Sequence, residues 1–395
     1  MFSDKVVENL KASSAIRAMF EEGARLKKEF GAENVFDFSI GNPDPPPPEP
    51  ALEAVRRLVG GSPRGLHGYM NNAGYLDVRE KIASEFNAAS PGLGLDAGHV
   101  VMTCGAGGGL NVIFKALLNP GDEVIAFSPF FVEYRFYVEN HGGRLVTSPT
   151  HEESFLPDLG ALEGAITGRT KAVILNTPNN PTGVVYPRVF LEELAALLEV
   201  KGREFSSTIF LVSDEPYRDI VYDGVEAAPV FSLFRNSLLA YSWSKSLSLP
   251  GERIGYVALN PRIEEAGLLW DALVFANRSL GFVNAPALFQ RVVLESWGCR
   301  VDVEIYKERR DLLYSHLVGL GFSCVKPQGA FYLFPKSPLA DTEAFKRLAL
   351  THKIILVPGR GFGCPAYFRL AYCVSIETIR NSQPAFEALA RDAGL

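Results

Sequence analysis

Cysteine is scarce in this chain. Five residues, Cys104, Cys299, Cys324, Cys364 and Cys373, are spread over 395 positions without one Cys-x-x-Cys pair. That spacing weighs against a disulfide framework or a zinc site and fits reduced thiols in a cytoplasm. The six histidines are scattered, with no ligand spacing such as His-Glu-x-x-His, so no metal is expected. No apolar run approaches the ~20 residues of a membrane span. Asp4, Lys5 and Glu8 stand where a signal peptide needs an apolar core. An excess of basic charge is missing too: 39 Lys and Arg face 45 Asp and Glu, giving a net charge of −6. With a pI near 5.7 and no basic run carrying aromatics, binding to nucleic acid is not expected. Internal repeats are absent, and low complexity is confined to Pro45–Pro48. These absences leave a soluble, cytoplasmic protein with no nucleic-acid and no membrane partner as the expectation.

What is present is ordinary globular composition, 47% hydrophobic and 21% charged, at a length that suggests two domains or one with an appendage. Residues 9–30 read as an amphipathic helix, with Ser13 or Ser14 as N-cap and Ile16, Met19, Phe20 and Leu26 on one side. A short apolar piece, Val35–Ile40, leads to Gly41-Asn42-Pro43-Asp44 and the stiff proline run, a first candidate boundary. Helices are expected at Ala51–Val59 and Asp77–Asn87, around a turn-rich loop at Leu66–Tyr75. Apolar, β-rich runs follow at His99–Thr103, Glu123–Phe127, Gly143–Thr147, Lys171–Leu175, Thr208–Ser213, Leu238–Tyr241 and Ile254–Leu259. Helical patterns such as Gly108–Leu118 and Val189–Val200 separate several of them. Continuous apolar strands alternating with helices predict an α/β fold with a mainly parallel sheet covered on both faces. Residues 262–318 read as mostly helical, with a long stretch over Ala285–Val318. Short strands at Phe322–Lys326, Ala330–Phe334, Ile354–Pro358 and Phe368–Val374, with helices at Asp341–Leu350 and Ile376–Ala390, predict a small antiparallel α+β unit.

Four turns at strand ends carry chemistry. Tyr241–Gly255 places Lys245 among Ser242, Ser244, Ser246 and Ser248, with Arg253 eight residues on, between two strands. A lysine there can form a Schiff base with an aldehyde, and the hydroxyls and Arg253 can hold a phosphate; taken alone it is equally a solvated loop lysine. Thr103–Leu110 is a glycine-rich turn running into a helix, an anion site by virtue of free N–H groups and the helix dipole, or simply a tight turn. Leu110 stands where a dinucleotide fingerprint needs a small residue, and no Gly-Lys-Ser/Thr follows, which weighs against a dinucleotide or ATP. Asn176–Gly183 is dense in asparagine and proline at the end of a strand where open α/β sheets bind ligands. Ser213–Tyr217 puts Asp214 and Tyr217 at the next strand end, where the carboxylate can hold a proton on a ring nitrogen and the phenol can donate to a ring oxygen; the plain reading is a solvated acidic turn.

Taken in order, Pro178–Gly183 (PNNPTG), Asp214–Tyr217 (DEPY), Ser242–Lys245 (SWSK) with Arg253, Gly329–Pro335 (GAFYLFP) and Phe368–Tyr372 (FRLAY) resemble the class I aminotransferases. These are fold-type-I pyridoxal-phosphate enzymes, and the chain is most similar to the bacterial aspartate-aminotransferase-like branch, from about Ser13 to Leu389. The resemblance implies a large domain at 51–290 with a mainly parallel seven-stranded sheet, a smaller α+β domain at 291–395, and an N-terminal arm at 1–50 that forms part of the small domain. It implies pyridoxal 5'-phosphate as cofactor, bound covalently by Lys245, whose freed amine then moves the proton. Asp214 would keep the pyridine nitrogen protonated, and Tyr217 and Asn180 would hydrogen-bond the ring's phenolic oxygen. Gly105, Ala106 and Gly107, with Ser242 and Arg253, would bind the phosphate, and Phe131 would stack on the ring. Tyr69 would reach the phosphate of a neighbouring subunit, which requires a homodimer. Arg369 would bind the substrate α-carboxylate, and Gly41 would lie in the loop that covers the substrate.

The reaction implied is ping-pong transfer of an amino group from an L-amino acid, aspartate or glutamate favoured, to a 2-oxo acid. Alternatives are a C–S β-lyase or decarboxylase on the same fold, or an aminotransferase for aromatic, branched or alanine-type substrates. A cofactor-binding regulatory module without turnover is a third. Arg278 lies near a position that contacts the distal carboxylate in one branch, but reads as a surface or structural arginine. Cys104 reads as a small packing residue.

Overall fold

A computed structural model describes residues 2–61 and 64–395, the side chains of residues 11–18 and 20 excepted. Among the described residues are twelve strands: β1 (Phe36–Asp37), β2 (Val100–Cys104), β3 (Glu123–Ser128), β4 (Arg144–Pro149), β5 (Thr170–Asn176), β6 (Phe210–Asp214), β7 (Ser237–Ser242), β8 (Ile254–Leu259), β9 (Tyr332–Leu333), β10 (Ile354–Ile355), β11 (Val357–Pro358) and β12 (Phe368–Ala371). Seven form one sheet in the order β2-β8-β7-β6-β5-β3-β4. Only β8 runs antiparallel to its neighbours.

Both faces are buried along β2, β3 and β5 to β8, so these strands are largely apolar runs, while the edge strand β4 stays partly exposed. Along β5, Ala172 and Ile174 pack with Leu110, Ile113 and Phe114 of the helix Gly105–Leu117, while Val173 and Leu175 pack with Leu191, Leu194 and Leu198 of the helix Arg188–Glu204. The period of two sends alternate residues to opposite layers. The β3, β5, β6 and β7 strands are parallel and end at Ser128, Asn176, Asp214 and Ser242. Asn176 pairs with Asp214 and Ser242 with Gly255, so these ends and the start of β8 share one edge of the sheet. The edge residue Cys104 pairs with Ile254, which brings the start of the Gly105–Leu117 helix to the same place.

The remaining strands form an antiparallel sheet β11-β12-β9 and a parallel pair β1-β10. They pack on a second core that includes Phe38, Tyr306, Leu313, Phe331, Phe345 and Phe386. Because Phe36 pairs with Ile354, the segment before the prolines is built into the C-terminal sheet.

Several expectations need correction. The first helix is Asp4–Phe30, capped at Ser3 rather than Ser13 or Ser14; three charged residues near its start are as compatible with a helix as with a tail. Met19 and Leu26 are buried with Val35 and Ile355, while the side chains of Ile16 and Phe20 lie outside the described residues. Phe322–Lys326 is not a strand: its backbone meets β9's extension only through Ser323, whose carbonyl accepts from the Lys336 amide at 2.8 Å. Ile354–Pro358 is two strands with different partners. The stretch Ala285–Val318 is two helices, Ala287–Glu295 and Val303–Gly319, broken at Gly298, whose φ of +81° no helix tolerates.

Candidate active site

Lys245 sits in a single helical turn, Trp243–Ser246, directly after β7. The residue is half-buried, and its Nζ donates to the Gly41 carbonyl at 2.7 Å. Burial pushes the amine down to about 8; the Arg253 and Arg369 charges push the same way, against Cys373.

Asp214, the last residue of β6, is the counterpart. Its Oδ2 accepts from the Tyr134 hydroxyl at 2.6 Å, while Oδ1 is buried with no partner among the described residues. Burial lifts this carboxyl to about 7, restrained by the Tyr134 hydrogen bond and aided by Glu215. The strand end is locked by Asn176, whose Nδ2 donates to the Asp214 carbonyl and whose Oδ1 accepts from the Asn180 amide, both at 2.8 Å.

Arg369, on β12, is buried at 4% exposure. Its Nη1 donates to Asn180 Oδ1 at 3.0 Å and its Nη2 to the Ser39 carbonyl at 2.7 Å. The guanidinium lies over the Tyr332 and Phe362 rings at 4.6 and 4.9 Å, and Nε has no partner among the described residues. Tyr332 and Tyr217 share a 2.7 Å hydroxyl contact, and burial raises the Tyr217 phenol well above its ordinary value. Gly41 admits no side chain, since a Cβ there would lie 2.0 Å from the Tyr332 hydroxyl.

At the sheet edge, Gly105 has φ +69° and opens the helix whose first N–H groups belong to Ala106 and Gly107. A Cβ at Gly105 would stand 2.9 Å from Arg253 Nη2. Arg253 itself holds φ +53°, a left-handed conformation that is uncommon for a residue with a side chain and aims its guanidinium at this turn. Ser242 ends β7 and is buried. Phe131 meets Tyr134 edge-to-face at 5.6 Å.

One cavity of about 410 Å³ collects Gly41, Ala106, Gly107, Phe131, Asn180, Asp214, Tyr217, Ser242, Lys245, Arg253 and Arg369. Gly105 stands just behind its wall, against Arg253. Tyr69 is 97% exposed and does not reach the cavity of its own chain. Arg278 is exposed beside Phe275, away from the cavity lining. Tyr332, Glu133, Tyr137 and Ser39 also line the cavity, and Tyr134 supports it from behind; none was singled out from sequence. Tyr332 lies inside the quoted Gly329–Pro335 motif, but its partner Tyr217 is 115 residues away along the chain, and Tyr134 is 80 residues from Asp214.

A second cavity of about 400 Å³, walled by Phe86, Tyr241, Trp243 and Trp297, shares the Lys245 turn. Its charged groups are paired within the chain, Arg218 with Glu215 and Tyr256, and Asp219 with Tyr241. Unpartnered buried atoms distinguish the first cavity: a carboxylate oxygen and a guanidinium N–H facing a site are unsatisfied until something complementary arrives.

The family described as aminotransferase class I and II matches residues 33–383. The chain belongs to that family. It is 34% identical to the aspartate aminotransferase of Thermotoga maritima over 92% of this chain and 93% of that protein. It is also 34% identical to the aspartate/prephenate aminotransferase of Thermus thermophilus over 98% of each. The crystal structure of an amino transferase from Eubacterium rectale superposes with a TM-score of 0.96 at 41% identity, covering 100% of both chains. The fold is that of the fold-type-I aminotransferases, and pyridoxal 5'-phosphate is the cofactor. The aminotransferase cavity fits that group on its own features. Asp214 Oδ1 lacks a donor, the helix starting at Gly105 offers free N–H groups beside Arg253, and Lys245 is an amine made less basic by burial.

Proposed function

We propose that this chain forms a homodimeric, cytoplasmic aminotransferase that takes aspartate or glutamate as amino donor and a 2-oxo acid as acceptor. The observation that carries the reading is the convergence of Lys245, the unpartnered Asp214 Oδ1 and the unpartnered Arg369 Nε on one cavity. Its relatives' names, aspartate and aspartate/prephenate aminotransferase, support the donor class. The division into an arm at 1–50, a large domain at 51–290 and a small domain at 291–395 is part of this reading; the separate cluster around Phe331 and the β1–β10 pairing support it, while Val292 and Val293 of the helix Ala287–Glu295 pack on the large-domain side.

Bound pyridoxal phosphate supplies an aldehyde for the amino group and a ring that accepts electrons from the donor's Cα. Lys245 would hold the cofactor covalently, and its amine, near 8, is suited to take and return a proton at neutral pH. Asp214 Oδ1, which lacks a donor, would hold a ring N–H, its negative charge favouring that proton. Tyr217 and Asn180 bind the ring hydroxyl. Ala106, Gly107, Gly105, Ser242 and Arg253 hold the phosphate, and Phe131 packs against the ring. Tyr69, exposed on its own chain, reaches the partner's phosphate. Arg369 binds the α-carboxylate with a planar fork that its Tyr332 and Phe362 neighbours keep oriented, and Gly41 lets the covering segment approach closely.

A specific observation also supports a donor without a second carboxylate: among the described residues, the cations lining the cavity are Lys245, Arg253 and Arg369 alone. Absorption spectroscopy separates the two readings. The purified protein with cofactor shows a visible band that aspartate or glutamate bleaches and 2-oxoglutarate restores, and Lys245→Ala abolishes both the band and the transfer. Response only to aromatic, branched or alanine-type donors moves the substrate; no band at all overturns the site. Sedimentation at the 43.2 kDa chain mass rather than twice that value would count against the dimer.

A further inference from the structure

The segment Ser39–Asp44 lies against the site and makes its contacts through backbone carbonyls. Ser39 accepts from Arg369 Nη2 at 2.7 Å, Ile40 from Cys373 Sγ at 3.7 Å and Gly41 from Lys245 Nζ at 2.7 Å. Its far end is fastened differently. The Asp44 amide donates to the Cys373 carbonyl at 3.1 Å, and Asp44 Oδ2 accepts from Arg309 Nη2 at 2.7 Å.

Arg309 projects from the helix Val303–Gly319 and is 7% exposed. Its Nε and Nη1 have no partner among the described residues. The Tyr306 hydroxyl, one helical turn earlier, and Ser248 Oγ, three residues after Lys245, are buried as well and lie side by side. Tyr306 meets Ser248 through its hydroxyl and is within electrostatic reach of Arg309, Asp44 and Cys373. This polar cluster therefore joins three elements: the helix, the Lys245 turn and the Ser39–Asp44 segment.

We propose that Arg309 is a positioning residue that latches the Ser39–Asp44 segment over the active site through Asp44. The proposal rests on the roles given to Lys245 and Arg369 above. Both ties at the near end of the segment are to cations that the cofactor and the substrate carboxylate compete for. When those ligands bind, the Ser39 and Gly41 carbonyls lose their donors. The Asp44–Arg309 pair is claimed by neither ligand, so it keeps the segment in register while the near end rearranges. A covering segment held in place excludes water and orients substrate, and its loss acts on substrate binding first.

The test uses the holoenzyme with the donor and acceptor that the spectroscopic titration identifies. Asp44→Asn and Arg309→Met are compared singly and together; the double variant removes the unpaired buried charge that Asp44→Asn alone leaves. In each single variant kcat/KM falls by roughly tenfold or more, the fall lies in KM for both donor and acceptor, and the resting visible band is unchanged. The double variant is no worse than the worse single variant, because the two residues act as one unit. Asp44→Glu, which keeps the charge, recovers part of the KM. Unchanged KM with only a lower melting temperature, or losses that multiply in the double variant, overturns the latch. Absence of a band in the unaltered protein overturns the site reading itself, which keeps the two failures distinct.

Discussion

Replacing Asp214 with asparagine makes the cofactor-free protein more stable and the enzyme worse. The carboxyl is pushed from its ordinary 3.8 to about 7 by burial. Between those values the folded protein keeps a proton that the unfolded chain releases, so stability falls as pH rises across that window, and the cost is fully present above pH ~7. A difference of about three pH units corresponds to about 4 kcal/mol, an upper figure because a buried site relaxes on ionisation. Asparagine is neutral throughout, and its Oδ1 can still accept the Tyr134 hydroxyl. Cofactor-free Asp214→Asn is therefore expected to be about 2–4 kcal/mol more stable than the unaltered protein at pH 8, with the gap closing towards pH 4. Urea denaturation followed by circular dichroism at a fixed protein concentration, from pH 5 to 8, measures this directly. With cofactor bound the order reverses in function: transamination falls by on the order of a hundredfold or more, because the ring N–H loses its counter-charge. Equal stability at pH 8, or a gap that does not change with pH, would refute the argument that Asp214 is held ionisable at a cost for the cofactor's sake.

Two further outcomes follow from the same geometry. Arg369→Lys is expected to raise KM for donor and acceptor by roughly ten- to a hundredfold while the resting absorption band persists, since one ammonium cannot reproduce a two-donor fork already shared with Asn180 and Ser39; unchanged KM would remove Arg369 from the carboxylate site. Covalent capture of pyridoxal phosphate by the cofactor-free protein requires the neutral amine of Lys245, so its rate is expected to rise with pH through about 8 and level off above it. Stopped-flow absorbance at a series of pH values checks this, and a midpoint at the ordinary lysine value of 10.5 would contradict it.

Much of the large sheet was legible in the sequence because it is buried on both faces. A strand such as Leu238–Tyr241 is apolar throughout, and its identity does not depend on which neighbours it finds. All seven such runs became strands, with ends shifted by at most two residues. The chemistry at the ends of those strands was legible for the same reason: Asp214 ends, and Asn180 and Lys245 follow, strands whose direction the crossover connections dictate, and Arg253 opens the antiparallel return from the Lys245 turn. The small sheets were not legible in detail. Tyr332–Leu333, Ile354–Ile355 and Val357–Pro358 are two-residue strands whose existence depends on partners distant in the chain, and no local pattern carries that information.

Tertiary structure alone decided the rest. Nothing local distinguishes Arg369 from an ion-paired surface arginine; its burial between Tyr332 and Phe362 does. Nothing local connects Tyr134 to Asp214 across 80 residues, or Arg309 to Asp44 across 265. A side chain's chemistry is written in the sequence, but its pKa, its partner and its freedom to take a ligand depend on desolvation and on groups the fold brings near. The sequence by itself therefore determined the sheet, its order of strand and turn, and which residue types stand at its active edge. The fold determined that the amine would be made less basic, that one carboxylate oxygen would be left without a donor, and that a segment from the N-terminal end would lie against the amine and Arg369.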